Sequence, residues 1–205
     1  MSVVNLLDNV TNWVRENICT KILLEVPPDD TESCDQGYVN KLAHPSAFTM
    51  YVPTKDKLQP PVQSPFPSVC IRFMDGADDL VSSKGSIGIQ LCFSAWNPGT
   101  HGADVLIPQG DKAYRRWTGK EADAYFERNG EGWRDVWNTV DIAIRAVESV
   151  TAIGGYEIDR TVPVKFGPLA EQEAIPDYYP FWFAWVSFQL NYPLLRNNQD
   201  IQQYL

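Results

Sequence analysis

The stretch that decides the fold is FWFAWVSFQL, Phe181–Leu190, in which half of the residues are aromatic. Successive side chains of a β-strand point to opposite faces, so the even-numbered residues share one face and the odd-numbered residues share the other. The even-numbered face is apolar throughout. The odd-numbered face is aromatic at Phe183 and Trp185 and polar further along. The stretch therefore predicts a strand that needs a cover on both faces at its start.

Two segments outside this strand repeat their apolar residues at helical spacing. The first covers residues 3–18, and the second runs from Trp133 to a stop at Gly154-Gly155. A stripe of this kind is typical of a helix that packs one side against a sheet. The sequence therefore predicts two amphipathic helices.

Further alternating runs predict the partner strands. SVCIRFMD (Ser68–Asp75) and SIGIQLCFSAW (Ser86–Trp96) are separated by a polar turn region and predict an antiparallel hairpin. Shorter or weaker runs predict three more strands, at Lys21–Val26, Phe48–Val52 and Tyr156–Phe166. Pro163 inside the last of these indicates an edge strand or a bulge.

The remaining segments lack a sustained period. Residues 27–45 and 167–180 are acidic and predict loops, and residues 53–67 are a proline-rich connector. Residues 97–131 are an insertion, in which the part from Ala113 to Asn129 is compatible with a short helix. Residues 193–205 are a polar tail.

The order of these elements predicts the fold class. We expect an α+β protein with an antiparallel sheet covered on one face by two main helices. The long insertion lies between the central strand hairpin and the second helix. The length of 205 residues fits one domain that covers residues 1–205.

Composition excludes some classes of protein. The net charge of −9 argues against a protein that grips nucleic acid through its phosphates, because that affinity comes from Lys and Arg. No apolar run reaches the roughly 18 residues of a membrane span, and no signal peptide is recognisable. Cys70 and Cys92 lie in apolar strand runs, which predicts buried free thiols.

Catalytic chemistry has little support in the sequence, which contains no phosphate-binding loop, dinucleotide-binding glycine motif or metalloprotease motif. The only histidines are His44 and His101, and both fall in predicted loops. Acidic clusters at 75–79, 121–131 and 171–177 do not match a calcium loop, although a glycosidase needs only two carboxylates at a suitable separation. We therefore predict no catalytic residues, no cofactor and no metal site, and a protein that is not an enzyme.

The aromatic start of the odd-numbered face has another explanation. Aromatic residues are enriched at the buried centres of protein interfaces. Two helices cover only one face of the predicted sheet, which leaves the insertion or a neighbouring subunit to cover the other. We therefore predict that Phe183 and Trp185 are interface residues.

Several stretches together carry a resemblance to a known family. PFPSVCIRF, SIGIQLCFSAWNPG and GWRDVWNTVDIAIRAVES follow each other as strand, strand and helix, and IGGYEIDRTVPVKFGPL with YYPFWFAWVSFQLNYPL forms a closing hairpin. Over about residues 65–195 this order resembles the bacteriophage tail terminator family, also called tail completion or head-tail joining proteins. The 97–131 insertion and the 27–45 loop exceed the small members of that family.

The resemblance implies a structural virion protein. Such proteins form a homo-hexameric ring that caps the tail tube, stops its polymerisation and offers a joining surface to the head. It implies as partners the tail tube protein, the head-tail connector or neck protein, and genomic DNA that passes through the lumen without specific binding. The location would be the head-proximal end of the tail in the virion, after assembly in the host cytoplasm.

Two alternatives remain open from the sequence. Within the structural class, the alternative is a neck or head-completion protein, or the terminator of a tail-like bacteriocin. In a different class, aromatic residues beside carboxylates also occur in carbohydrate-binding and glycoside-processing domains.

Overall fold

A computed structural model describes residues 3–28, 38–39, 41–62, 64–79, 84–97, 105–108, 114–116, 132–170 and 174–193. The α-helices of this part of the chain are α1 (Val3–Asn17) and α2 (Trp133–Ser149), and short 3-10 helices occur at Cys19–Lys21 and Lys55–Lys57. Its strands are β1 (Leu24–Val26), β2 (Tyr38–Val39), β3 (Lys41–Ala43), β4 (Ser46–Thr49), β5 (Ser68–Asp79), β6 (Lys84–Trp96), β7 (Val105–Pro108), β8 (Tyr114–Arg116), β9 (Ala152–Ile153), β10 (Tyr156–Ile158), β11 (Lys165–Pro168) and β12 (Phe181–Pro193). The predicted mixed α+β class is confirmed.

The main sheet has the order β4-β5-β6-β12-β10-β9, and β11 also pairs with β12. All of its pairs are antiparallel except β4 with β5, which run parallel. The prediction of a wholly antiparallel sheet is therefore wrong at this edge. The proline-rich connector returns the chain to the end of the sheet where β4 began, so the two strands run in one direction.

The three central strands are longer than their alternating runs. β6 and β12 pair without interruption from Trp96↔Phe181 to Lys84↔Pro193, and β5 follows β6 as far as Asp79 with a register shift between Phe73 and Asp75. The predicted turn at 76–79 is wrong, because pairing to β6 extends the strand through residues with low strand propensity.

The core lies between the two helices and the even-numbered face of β12. Residues 184, 186, 188 and 190 are buried, whereas residues 183, 185, 187 and 189 are partly buried. This alternation confirms the predicted assignment of faces. Val10 of α1, Val140 of α2, Ile89 of β6 and Phe188 belong to one contiguous cluster. Full burial of a large apolar side chain stabilises the fold by about 1.5–3 kcal/mol.

The predicted strand Tyr156–Phe166 is two strands. β10 pairs with the C-terminal part of β12, and β11 pairs with its N-terminal part. Residues 159–164, which include Pro163, separate them. The proline therefore marks a break, because its ring removes the backbone donor that a continuous ladder needs.

Gly154 and Gly155 connect β9 to β10 in a two-residue hairpin turn. Their φ angles are +58° and +87°, the left-handed region that glycine adopts at no steric cost. A Cβ on Gly154 would also lie 2.5 Å from Asn9 Cβ in α1. The glycine pair thus allows both the turn and the close approach of the first helix.

Two segments predicted as loops contain short strands that pair with each other. β2, from the 27–45 segment, is parallel to β7, from the 97–131 insertion, and β7 is antiparallel to β8. β3 also pairs with β1. The loop prediction is therefore wrong for these strands, which are too short to show a period. Of the predicted helix, residues 114–116 are a strand and residues 117–129 lie outside the described residues.

The polar tail falls mostly outside the described residues, which end at Pro193 of β12. No helix within the described ranges is both long and apolar enough to cross a membrane.

Candidate functional site

The face of the sheet that carries Phe183 and Trp185 contains a groove of about 760 Å³, which we call the sheet groove. Cys70 and Cys92 of the two neighbouring strands line it together with these two aromatic residues. Further residues that line it come from the β4–β5 connector and from the segment after β11; they are Tyr51, Val52, Phe66, Leu169 and Ala170. Its volume and its mainly apolar lining are those of a binding site.

Phe183 is partly covered by aromatic residues of its own chain. Its ring centroid lies 5.7 Å from that of Tyr178 and 6.5 Å from that of Phe66, and both pairs meet edge to face. Such pairs contribute about 0.5–1.5 kcal/mol beyond their buried area. Phe66 also contacts Phe181, with ring centroids 4.9 Å apart. The strand start is therefore held in an aromatic cluster and still borders the groove.

Trp185 lies against β11. Its Nε1 donates a hydrogen bond of 3.0 Å to the Pro168 carbonyl oxygen, and its ring covers Gly167, where a Cβ would lie 3.2 Å from Cζ2. The indole N–H is thus satisfied within the chain, as expected for a buried tryptophan. The side chain remains only partly buried, and the rest of its ring faces the sheet groove.

A second groove of about 480 Å³ lies on the other side of Phe183 and Leu169, and we call it the helix groove. Trp133 and Trp137 from α2 line it, together with Asp177 and Tyr178 from the segment before β12. Trp133 is 41% exposed and Tyr178 is 42% exposed. Because the two grooves share lining residues, they form a continuous aromatic surface around the start of β12.

The floor of the sheet groove becomes polar away from the aromatic residues. Arg72 of β5 is paired in register with Gln90 of β6, and both line the groove. At the other end, the buried hydroxyl groups of Ser68 and Ser94 lie 2.6 Å apart and satisfy each other. The groove therefore combines aromatic side chains with a partly polar floor and one cationic side chain, Arg72.

The thiols in the sheet groove are held in the neutral form. Burial raises the pKa of Cys92 to about 11 and also raises the pKa of Cys70, although the Arg72 guanidinium partly opposes both shifts. The thiolate is the nucleophilic form of cysteine. Both side chains are therefore slow nucleophiles at neutral pH.

A polar network closes the base of the insertion. Asn97, just after β6, donates from Nδ2 to Asp135 Oδ2 at 2.7 Å, and its carbonyl oxygen accepts from Trp182 Nε1 at 2.9 Å. Burial raises the pKa of Asp135, and the hydrogen bond from Asn97 opposes that shift. A Cβ on Gly132 would lie 2.2 Å from the Asn97 carbonyl oxygen. The chain therefore leaves the core at Asn97 and re-enters it in contact with the same residue.

The residues considered for catalysis do not converge in the described part of the chain. His44 is exposed, and its Nδ1 lies 2.7 Å from the Ile22 carbonyl oxygen. Asp75 lies in β5 as predicted, Asp78 and Asp79 lie in β5 rather than in a turn, and the exposed Asp177 accepts a hydrogen bond from the Tyr179 backbone nitrogen. His101 and the other candidate acids, at 121–131 and 171–173, fall outside the described residues. No group of three or more metal-ligating side chains occurs among those described.

Sequence reasoning identified the two central aromatic residues but missed their surroundings. Phe66, Tyr178 and Arg72 reach the site from the connector, from a predicted loop and from a neighbouring strand. The only sequence signals were that Phe66 lies between two prolines and that Tyr178 lies shortly before β12, and neither signal indicates a contact with Phe183. The assignment of Phe183 and Trp185 to a subunit interface stays a prediction.

Comparison with known proteins gives no family for this chain. No protein-family model matches it, and no curated protein sequence is significantly similar to it.

Proposed function

We propose that this chain is a structural virion protein of the tail terminator type, and that it acts by assembly rather than by catalysis. The observation that carries the proposal is the aromatic surface around Phe183 and Trp185. Its side chains are only partly buried, and they border two connected grooves on a sheet whose other face packs against both helices.

A surface of this kind suits a subunit interface. Monomeric soluble proteins rarely leave large contiguous apolar patches exposed, and aromatic residues in pockets are frequent anchors of binding energy. Hydrogen bonds and ring contacts within the chain already fix Trp185 and Phe183. A partner would therefore meet side chains that lose little conformational freedom on binding.

In the proposed assembly, identical copies form a hexameric ring. Contacts between two different patches of one chain generate a closed ring if the rotation closes. One end of the ring would bind the last ring of the tail tube protein and stop its growth. The other end would receive the head-tail connector or neck protein, which places the chain at the head-proximal end of the tail. A neck protein or the terminator of a tail-like bacteriocin would use the same surface.

Acidic side chains would suit a channel for DNA. Asp75, Asp78 and Asp79 are exposed at the end of β5, and the chain as a whole carries a net charge of −9. If this end of the sheet faced the lumen, the carboxylates would repel the phosphates of passing DNA. DNA would then move through the ring without binding to it.

Electron microscopy of the concentrated protein tests the proposal. We expect rings with a central opening for the parent chain and few rings for Trp185→Ser. Phe166→Ser is the matched control, because Phe166 is 55% exposed on β11 but does not line either groove. Rings that persist in Trp185→Ser and disappear in Phe166→Ser would show that the interface lies outside the aromatic surface.

The helix groove favours carbohydrate binding as a second candidate function. Trp133, Trp137 and Tyr178 present aromatic rings there beside the Asp177 carboxylate. Calorimetric titration with a panel of neutral oligosaccharides distinguishes this candidate from the first. Carbohydrate binding would be favoured if the parent chain does not assemble, binds an oligosaccharide saturably, and loses this binding in Trp133→Ala.

A further inference from the structure

Cys70 and Cys92 are direct neighbours across two strands. They are Cα partners in the antiparallel register of β5 and β6. Side chains of directly opposed residues lie on one face of the sheet, with Cβ atoms about 4.5–5.5 Å apart. Both line the sheet groove, and neither is part of a disulfide bond.

The backbone hydrogen bonds of β5 define the type of this pair. Ser46 N donates to the Pro67 carbonyl oxygen, and Met50 N donates to the Ile71 carbonyl oxygen. The backbone N–H and C=O groups of the odd-numbered residues of β5 are therefore directed towards β4. Because this direction alternates along a strand, the backbone N–H and C=O groups of Cys70 are directed towards β6. Cys70 therefore forms a hydrogen-bonded pair with Cys92. The Cα atoms of such a pair are about 5.5 Å apart, which lies within the roughly 4.4–6.8 Å that a disulfide requires.

We propose that Cys70 and Cys92 form a reversible disulfide site that closes when a small disulfide such as oxidised glutathione enters the sheet groove. One cysteine thiolate attacks a glutathione sulfur, which forms a mixed disulfide and releases the first glutathione thiol. The second cysteine thiolate then attacks the sulfur of the first cysteine, which forms the Cys70–Cys92 bond and releases the second glutathione as a thiolate that takes up a proton. The protein loses two hydrogen atoms and is oxidised by two electrons, and the glutathione disulfide is reduced to two thiols.

The structure sets the order of the two steps. Cys70 is only 5% exposed, whereas Cys92 is partly exposed, so the small disulfide reaches Cys92 first. Cys70 then acts as the resolving thiol. The first step is slow at neutral pH because burial raises the pKa of Cys92 to about 11 and leaves little thiolate.

The bond is expected to be easily reduced. The Cβ atoms of a hydrogen-bonded pair lie near the upper end of the range of about 4.5–5.5 Å, whereas those of a disulfide lie about 3.5–4.5 Å apart, so closure must draw the two strands together by about 1 Å or more. Strained disulfides have more oxidising potentials, which is the property of labile rather than structural bonds. The expected resting state in a reducing compartment is therefore the dithiol.

Peptide mapping tests the proposal directly. The chain has two further cysteines, Cys19, which is buried, and Cys34. The protein would carry Cys34→Ser and would be treated with oxidised glutathione under native conditions. Trypsin cleaves after Arg72 and Lys84, which separates Cys70 from Cys92. We expect a linked pair of tryptic peptides that disappears after mild reduction. Additional Cys70→Ser should leave a stable glutathione adduct on Cys92, and additional Cys92→Ser should leave Cys70 unmodified.

Other outcomes would overturn the proposal. An adduct on Cys92 of the chain with both thiols, without a linked pair, would show that Cys70 cannot resolve it. A glutathione adduct on Cys70 in Cys92→Ser at the rate of the unfolded chain would show that the groove floor is open. Denatured Cys92→Ser provides that reference rate. The proposed ring would cover the same groove, so the mapping is carried out at protein concentrations at which the chain is monomeric, and its outcome then leaves the proposed function independent.

Discussion

The two faces of β12 show how one strand carries two kinds of surface. Val186 and Phe188 on one face are almost completely buried among residues of both helices. Phe183 and Trp185 on the other face are held by rings and a carbonyl group of the same chain, yet they remain partly exposed beside a groove. The first face stabilises the fold, and the second is the surface that we propose binds a partner. The comparison predicts that equal changes on the two faces have different consequences.

Phe188→Ser should have the largest effect on folding. The side chain is 4% exposed, and its removal leaves a cavity and a hydroxyl group in the core. Truncation of a buried phenylalanine costs about 3–5 kcal/mol. Denaturant unfolding measures this loss, with Gln189→Ser on the opposite face as a control that stays within about 0.5 kcal/mol. Similar losses for both variants would contradict the assignment of faces.

Trp185→Ser should affect assembly more than folding. Loss of an interface anchor costs about 2 kcal/mol or more of association, which is roughly 30-fold in the dissociation constant. The variant also loses the hydrogen bond to Pro168 and the contact with Gly167, which lowers its folding stability. We expect this loss to be smaller than in Phe188→Ser, because Trp185 is only partly buried. Thermal melts and light scattering separate the two effects. If the variant melts as early as Phe188→Ser and assembles like the parent, Trp185 is a core residue.

Asp135→Asn should give a modest, pH-dependent gain in stability. Burial raises the folded-state pKa of Asp135, so its charged form is disfavoured by folding. The stability contributed by the protonated group is fully present below the unfolded pKa and is lost as the pH rises through the folded pKa. We therefore expect the variant to be more stable than the parent at neutral pH and to approach it in acid. Unfolding curves at several pH values would show a constant difference if this account were wrong.

Replacement of residues 98–131 by a short Gly-Ser linker should have the smallest effect on the core. Asn97 and Gly132 are in contact, so a short loop can join them, and loop-closure entropy changes only slowly with length. The melting transition should remain cooperative, because the replacement removes only the pairings of β2 with β7 and of β7 with β8 among the described strands. A noncooperative melt would show that the insertion is part of the main core.

The sequence predicted the parts of the fold that depend on local periodicity. The two helices and the alternation of β12 follow from side-chain spacing, and the structure contains both, although the second helix ends at Ser149 and not at Gly154, because Ala152–Ile153 forms β9. The parallel β4–β5 edge and the β2–β7 pair depend on partners distant in the chain, so no local pattern encodes them. β5 extends through Asp78 and Asp79 for the same reason, since β6 provides its ladder.

The candidate site was predictable only in part. Phe183 and Trp185 were apparent because they interrupt a polar face, but Phe66 and Arg72 come from other segments. Their place in the groove depends on how the connector crosses the sheet. The opposition of Cys70 and Cys92 likewise required the register of the hairpin.

The molecular mass in solution over a range of protein concentrations tests the central claim most directly. If the aromatic face of β12 is a subunit interface, sedimentation should show a species near six times the chain mass of 23.2 kDa. The Trp185→Ser variant should need a higher protein concentration to form this species. A parent chain that remains at 23.2 kDa at every concentration, with a sedimentation profile identical to that of Trp185→Ser, would contradict the claim.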